Sequence, residues 1–569
     1  MNFSVWAPFA GRVELRLGTQ AVPMQRGSRG TWSVEVSPAP PEGAAYRFSL
    51  DGGPPLPDPA SHWQPDGVHG DSRVMTTDRL RAQQRPFQPR PLSEAVIYEL
   101  HVGTFTAEGT YAAAQARLPY LAELGVTHVE LMPLAAFPGR HGWGYDGVYW
   151  YAPFPAYGTA DELAAFVAAC HGHGLAVLLD VVYNHFGPDG NYTGKFGPYF
   201  TDRWKTFWGD ALNFDGPYSD EVRRFVVENA LMWLREYGFD GLRLDAVHAI
   251  YCAGAVHILE ELAEAVKALG RELQRDFVII AESDANDPRL VRPVEQGGYG
   301  LSAHWCDDFH HALHAFFTGE RDGYYADFTS GLADLAAVLR AGYLYQGQFS
   351  VFRQRRHGRP PAGVLPHQVV VCSQNHDQVG NRAFGERLSM LLPLPQLKAI
   401  AALTLLSPFV PLLFQGEEWG AQTPFLYFTD HQDAELGRQV AEGRRKEFAG
   451  FKWKEEIPNP QDPETFRQSQ LRWSECKESS HADLFEWYKR LIQLRRRRST
   501  EASAPFEVSC DEKAGWLAMW QGGVLAVFNF ADKARQIPQP PGPWRLELSS
   551  ASVPEDFVPA HGTCVYVRN

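Results

Sequence analysis

Five places in this sequence put a carboxylate at the end of a short apolar run, and three of them add a histidine or an arginine. They are Asp180 with Tyr183-Asn184-His185, Arg243-Leu244-Asp245, Glu282, Asn375-His376-Asp377, and Gln415-Gly416-Glu417-Glu418. A single aspartate after a strand is ordinarily a turn or helix cap. Five such groups on one rim would make a reaction centre. Arg243 and Asp245 are two apart, so on a strand both point to one face. A guanidinium beside a carboxylate favours its ionised form, as a nucleophile requires. Glu282 ends an almost wholly apolar strand. Facing the charges of Asp245 and Asp377 it would keep its proton, as a general acid requires. One ionised and one protonated carboxyl form the pair that hydrolyses glycosides. His185 and His376, as neutral donors, could bind sugar hydroxyls. Metal ligation is the alternative for them, and no ligand spacing supports it.

Such residues need a scaffold that gathers strand ends. The chain has 569 residues, beyond the usual reach of one core, although a (β/α)₈ barrel with insertions absorbs about 400. From about residue 95, short buried runs alternate with helical periods, as in βα units. The predicted strands are Val96–Leu100, His128–Met132, Ala176–Val181, Gly241–Asp245, Phe277–Ala281, a sixth around Ala303–Trp305, Val369–Cys372 and Pro411–Phe414. Eight indicate a TIM barrel over 92–498, with its active site at the C-terminal strand ends. A Gly-, Pro-, Asn- and aromatic-rich stretch at about 185–219 interrupts the rhythm as a loop or small subdomain. Residues 1–88 read as an all-β module of sandwich spacing, and 503–569 as a C-terminal all-β domain.

The composition narrows the partners. With 53 Lys+Arg against 67 Asp+Glu the formal charge is −14, which argues against nucleic acid. The one dense basic run, Arg495–Arg498, reads as a solvated helix end. The most apolar stretch, Ala399–Phe414, is short for a membrane span and broken by Pro408 and Pro411; it reads as a buried helix followed by a strand. The N-terminal residues do not resemble a secretory signal. Seven scattered cysteines without CxxC spacing argue against a disulfide framework or zinc site and fit a reducing cytoplasm. Aromatic residues reach 13%, with 16 Trp. Flat rings with polar edges suit a sugar cleft.

Four segments resemble the signature regions of the α-amylase superfamily, glycoside hydrolase family 13. They are Asp180-Val181-Val182-Tyr183-Asn184-His185, Gly241-Leu242-Arg243-Leu244-Asp245-Ala246-Val247-His248, Ala281-Glu282-Ser283 and Asn375-His376-Asp377. The resemblance covers the barrel and implies a retaining glycoside hydrolase. It makes Asp245 the nucleophile, Glu282 the general acid/base and Asp377 the stabiliser of the distorted sugar. It has Arg243 orient the nucleophile and His185 and His376 hold the sugar at subsite −1. Tyr145, in Trp143-Gly144-Tyr145-Asp146-Gly147, would lie under that sugar, and Asp180 joins the substrate-binding set. The two catalytic carboxyls should then lie about 5–5.5 Å apart.

Val5-Trp6-Ala7-Pro8, Asp58-Pro59-Ala60-Ser61, Gly67-Val68-His69-Gly70, His185–Tyr192, Trp208–Gly216 and Asp307-Asp308-Phe309-His310-His311 resemble the trehalose-releasing branch of that family. This implies cleavage of the α-1,4 bond beside the terminal trehalose of a maltooligosyltrehalose, downstream of a synthase that forms it, with no cofactor and no metal. Trehalose is bent, so the + subsites must reject a straight maltosyl end. Trp208 and Asp308 are candidates for part of that wall; packing within its own loop is the plainer role for Trp208. His310, His311 and His314 with Asp307 could suggest a metal cluster, but the spacing matches no known site. Calcium would need hard-oxygen ligands beyond Asn184 and scattered aspartates. Tyr251-Cys252-Ala253-Gly254 stands where a polar stretch is expected, and if it lined the + subsites it would alter product preference. The competing readings are a 1,4-α-glucan branching enzyme, a plain α-amylase, and a non-catalytic glucan-binding protein on the same fold.

Overall fold

The computed structural model describes residues 1–448, 456–499, 504–554 and 556–568. Its centre is a closed barrel of eight parallel strands: β1 (Ile97–Leu100), β2 (His128–Leu131), β3 (Ala176–Val181), β4 (Gly241–Leu244), β5 (Val278–Ala281), β6 (Ala303–Trp305), β7 (Val369–Cys372) and β8 (Val410–Phe414). The strands follow one another around the barrel in chain order. They are covered on both faces, which is why they read as apolar runs and not as alternating ones. The register sets the depth of the polar side chains. Asp180 pairs with Arg243 across β3–β4, and Glu99 with Glu130 across β1–β2.

The N-terminal residues form a three-stranded sheet (Asn2–Trp6, Gln25–Arg26, Thr31–Glu35) and a four-stranded one (Val13–Leu17, Gln20–Pro23, Ala45–Leu50, Ser72–Arg73). This module is plugged into the barrel. Val68 is buried with Ala136, Val148, Tyr149 and Ala152, and Tyr149 donates its hydroxyl proton to Val68 O at 2.9 Å. The C-terminal residues build a five-stranded antiparallel sheet between Glu507 and Arg568. Position 503, the expected start of that domain, lies outside the described residues.

Four helices matter below: α1 (Asp307–Thr318), α2 (Leu394–Leu405), α3 (Ala434–Glu447) and α4 (Ser479–Ser499). α2 followed by β8 is the buried helix–strand pair expected for the most apolar stretch. The basic run at the end of α4 is solvated at Arg496 and Arg497, as its charge suggested, but not at Arg495. Arg495 is 4% exposed and donates to the carbonyls of Leu405, at the end of α2, and of Ser407 and Phe409 just beyond it. Arg496 donates to Gly125 O at 2.7 Å. The Arg498 side chain lies outside the described residues.

The insertion after β3 is a short helix (Thr193–Phe196) and a hairpin (Phe200–Thr206, Gly209–Leu212). The Tyr251–Gly254 loop braces this hairpin and does not line the cavity described next. Tyr251 stacks on Trp204 at 5.4 Å and 15°, and Ala253 N donates to Asp215 Oδ2. All seven cysteines are free thiols. Among the described residues no helix is long and apolar enough to cross a membrane.

Candidate active site

A cavity of about 570 Å³ opens at the C-terminal ends of the strands, walled by Tyr145, His185, Trp208, Asp245, Glu282 and Asp377 among others. Arg243 lies beneath it, fully buried. One guanidinium gathers three carboxylates: Nη1 donates to Asp180 Oδ2 at 2.6 Å and to Asp245 Oδ1 at 2.9 Å, while Nη2 lies 3.1 Å from Glu282 Oε2. Its plane rests 4.2 Å from the Trp305 ring centroid.

Between nucleophile and acid candidates the chain makes a strained turn. Ala246, directly after Asp245, has φ +40°, a region costly for a residue with a Cβ. The strain aims Ala246 N at Glu282 Oε2, 2.5 Å away. Glu282 N donates to Leu244 O and Val247 N to Glu282 O, so the two strand ends are stitched together. Asp245 Oδ2 accepts from Asn184 Nδ2 at 2.7 Å, and Asn184 Oδ1 contacts His185 Nδ1.

Burial, opposed by Arg243 and reinforced by the charges of Asp245 and Asp377, pushes the Glu282 carboxyl well above the ordinary range. A proton on Glu282 is what the acid role needs. Burial lowers His185, against the pull of Asp245 and Asp146, so it is a neutral ring. His376 departs from the expected neutral donor. Burial would lower it, but Glu99 and Asp377 outweigh burial and raise it to about 9. The imidazolium donates from Nδ1 to Glu99 Oε1 at 2.5 Å and from Nε2 to the Tyr145 hydroxyl oxygen at 2.7 Å. Tyr145 then donates to Asp180 Oδ2 at 2.5 Å and stacks on His376 at 5.2 Å and 20°. Asp180 is 2% exposed, and so supports Arg243 and Tyr145 from below the cavity wall.

Trp208 is 49% exposed and lies flat on His185, with centroids 4.2 Å apart at 4°. It lines the cavity and is not packing inside its own hairpin. Asp308, its expected partner in the wall, is not in the wall. It is 3% exposed, and its Oδ2 accepts from Asn286 Nδ2 and from the backbone N–H groups of Leu344 and Tyr345. It anchors two loops, the one at Asn286 and the one at Leu344-Tyr345, whose N–H groups converge on the one carboxylate oxygen.

The carboxylates after β8 are anchors too. Glu417 accepts from Ser373 and from Tyr488 of α4, and Glu418 accepts from Tyr98 and Tyr120; burial lifts both to about 7. The histidines of α1 are engaged by protein groups: His310 by Ser373 O and the Tyr325 hydroxyl, His314 by Glu320, and His311 by stacking on Tyr324. No group of three or more ligands able to hold a metal occurs among the described residues.

Two residues escaped the sequence reading. Glu99 on β1 holds His376 through both backbone N–H and ring. Glu130 on β2 is 1% exposed with neither oxygen hydrogen-bonded, and burial, then Glu99 and Asp180, push it well above the ordinary range. The available signal was a carboxylate inside a strand that is otherwise apolar. The far wall also went unseen: it comes from Tyr427 and Thr429 and from Val440, Gly443, Arg444 and Glu447 of α3.

The sequence model of the alpha-amylase catalytic domain matches residues 100–211. The malto-oligosyltrehalose trehalohydrolase of Rhizobium sp. (strain M-11) is 49% identical over 95% of this chain and 92% of its own. That of Arthrobacter ramosus is 50% identical over 92% of this chain and 91% of its own. A crystal structure from Salmonella typhimurium, provisionally named an alpha amylase, superposes with a TM-score of 0.92 and 38% identity, covering 100% of this chain and 97% of that one.

Proposed function

We infer the reaction from the lineage: the chain belongs to the malto-oligosyltrehalose trehalohydrolases of the alpha-amylase family, and is a glycosidase. It hydrolyses a maltooligosyltrehalose at the α-1,4 bond beside the terminal trehalose, releasing trehalose and a maltooligosaccharide. The observation that carries the chemistry is the single buried guanidinium of Arg243 tying Asp245 to Glu282, with burial and neighbouring charge keeping the proton on Glu282.

In this reading Asp245 attacks the anomeric carbon while Glu282 protonates the departing oxygen. Water, deprotonated by Glu282, then hydrolyses the glycosyl ester on Asp245. Asp377 stabilises the distorted sugar. Neutral His185 and the Tyr145 ring hold it, charged His376 backs Tyr145 from beneath the cavity wall, and Trp208 offers a flat apolar face to a pyranose. Asp180 and Arg243 position these groups, and Asp308 acts only through the loops it anchors. An enzyme that builds the trehalose terminus must act first. Seven free thiols support a reducing cytoplasm as the setting.

The test is product analysis on maltotriosyltrehalose and, separately, on maltopentaose. Trehalose plus maltotriose, with much slower attack on maltopentaose, is the expected result. Equal attack on both would place the enzyme among general amylases. Loss of iodine staining on amylose without released sugar would indicate a branching transferase. Glu282→Gln should lower kcat by about 10² or more, since general acid catalysis supplies about 10²–10⁴. A pure binding protein would show no turnover in either form.

A further inference from the structure

Asp189 is 4% exposed in its side chain, and both its oxygens are used, each by a different part of the molecule. Oδ1 lies 3.1 Å from Nε2 of His69, in the N-terminal module, and His69 Nδ1 also meets the Tyr192 hydroxyl at 2.7 Å. Oδ2 accepts from Gln432 N at 2.7 Å and Asp433 N at 3.1 Å. Asp433 is the N-cap of α3, its own carboxylate accepting from Glu435 N and Leu436 N. The other end of α3 is pinned by Arg444, whose Nη2 donates to Gly380 O and Arg382 O, just past Asp377. Val440, Gly443, Arg444 and Glu447 of this helix form the cavity wall, on either side of the Arg444 pin.

We propose that Asp189 is a positioning residue through which the N-terminal module fixes α3 and thereby sets the wall that separates a bent trehalosyl end from a straight maltosyl one. Without Asp189, α3 keeps its Arg444 pin and the hold of Gln461 on His431, but loses the two bonds at Gln432 and Asp433 that fix its first turn against the N-terminal module. Val440 lies four residues, about 6 Å along the axis, from Arg444, so a tilt of about 5° moves this part of the wall by about half an ångström. The module then contributes to selectivity without touching substrate. This rests on the trehalohydrolase reading above.

The experiment measures kcat and KM on maltotriosyltrehalose and on maltopentaose for the wild type, Asp189→Ala, Asp189→Asn and His69→Ala. Asp189→Ala is expected to raise KM for the trehalose-ended substrate about tenfold, within the roughly hundredfold that a 1 Å misplacement can cost, with kcat changed by less than about twofold. The ratio of kcat/KM between the two substrates should fall accordingly. Asp189→Asn retains an acceptor for the two backbone N–H groups and should recover most of the ratio. His69→Ala, at a side chain 51% exposed, leaves the α3 contacts intact and should shift the ratio in the same direction by less. A wild-type ratio in both alanine variants would overturn the proposal. So would a wild-type ratio in His69→Ala alone, should Asp189→Ala not fold. A wild-type enzyme with no preference for the trehalose end would instead sink the function reading.

Discussion

At the residue scale the centre is organised around one proton. Catalysis as proposed needs Glu282 protonated, so kcat/KM must fall as pH rises through its raised pKa. The lift comes from burial and from the charges of Asp245 and Asp377, with Arg243 pulling the other way. Asp377→Asn deletes one negative charge while keeping the shape. The carboxyl of Glu282 then loses its proton more easily, and the alkaline limb of the residual activity should move to lower pH. The pH–rate profile of the variant against the wild type checks this. A limb that stays in place, or moves to higher pH, would mean that another group controls it.

At the element scale, barrel strands deliver polar groups to a common depth, and β1 shows the consequence. His376 sits after β7 but is charged because Glu99 on β1 faces it. Its folded pKa of about 9 lies above the ordinary 6.5. The ion pair therefore adds stability that is fully present below 6.5 and is lost as pH rises through 9. Glu99→Gln removes that contribution. The melting temperature of the variant should lie below the wild type at pH values under 6.5 and converge on it above 9. A constant gap across that range would show that Glu99 acts by packing alone.

The same strand explains what the sequence could and could not disclose. All eight strands were legible because a parallel strand covered on both faces is a short, mostly apolar run set between helical periods. The carboxylates that end such runs stood out for the same reason. Glu99 and Glu130 lie inside such runs and not at their ends, so only the register, which sets them side by side within the barrel, shows what they face. Asp308 and Glu417 were the reverse error: right position after a strand, wrong direction. Which way a side chain turns at a strand end depends on the N–H groups and tyrosines brought there by distant segments, such as Tyr488 of α4. Arg495 likewise meets the end of α2 only in three dimensions. The far wall built by α3 carries no chemistry-bearing motif that a linear reading would single out.

At the scale of the whole molecule the N-terminal module meets the rest of the chain at several points, and one of the tightest is at Gly190. Gly190 has φ +82°, and a Cβ there would lie 2.3 Å from Val68 Cγ2 and 2.5 Å from Val68 Cβ. Gly190→Ala therefore meets two separate costs. The backbone conformation costs an alanine about 1–2 kcal/mol wherever the module sits. The collision with Val68 adds to that only if the module stays docked. Val68→Gly removes both colliding atoms, and as a buried side-chain deletion it should itself cost about 2–4 kcal/mol. The double variant separates the two costs of Gly190→Ala. If docking persists in solution, the double variant should be more stable than the sum of the singles by more than about 1 kcal/mol, since contacting residues couple by about 0.5–3 kcal/mol. Strict additivity would mean that the module leaves the barrel readily, and that His69 cannot steer Asp189. Gly190→Ala should also move substrate preference in the direction of Asp189→Ala, because pushing Val68 outward carries His69 away from the carboxylate beside it.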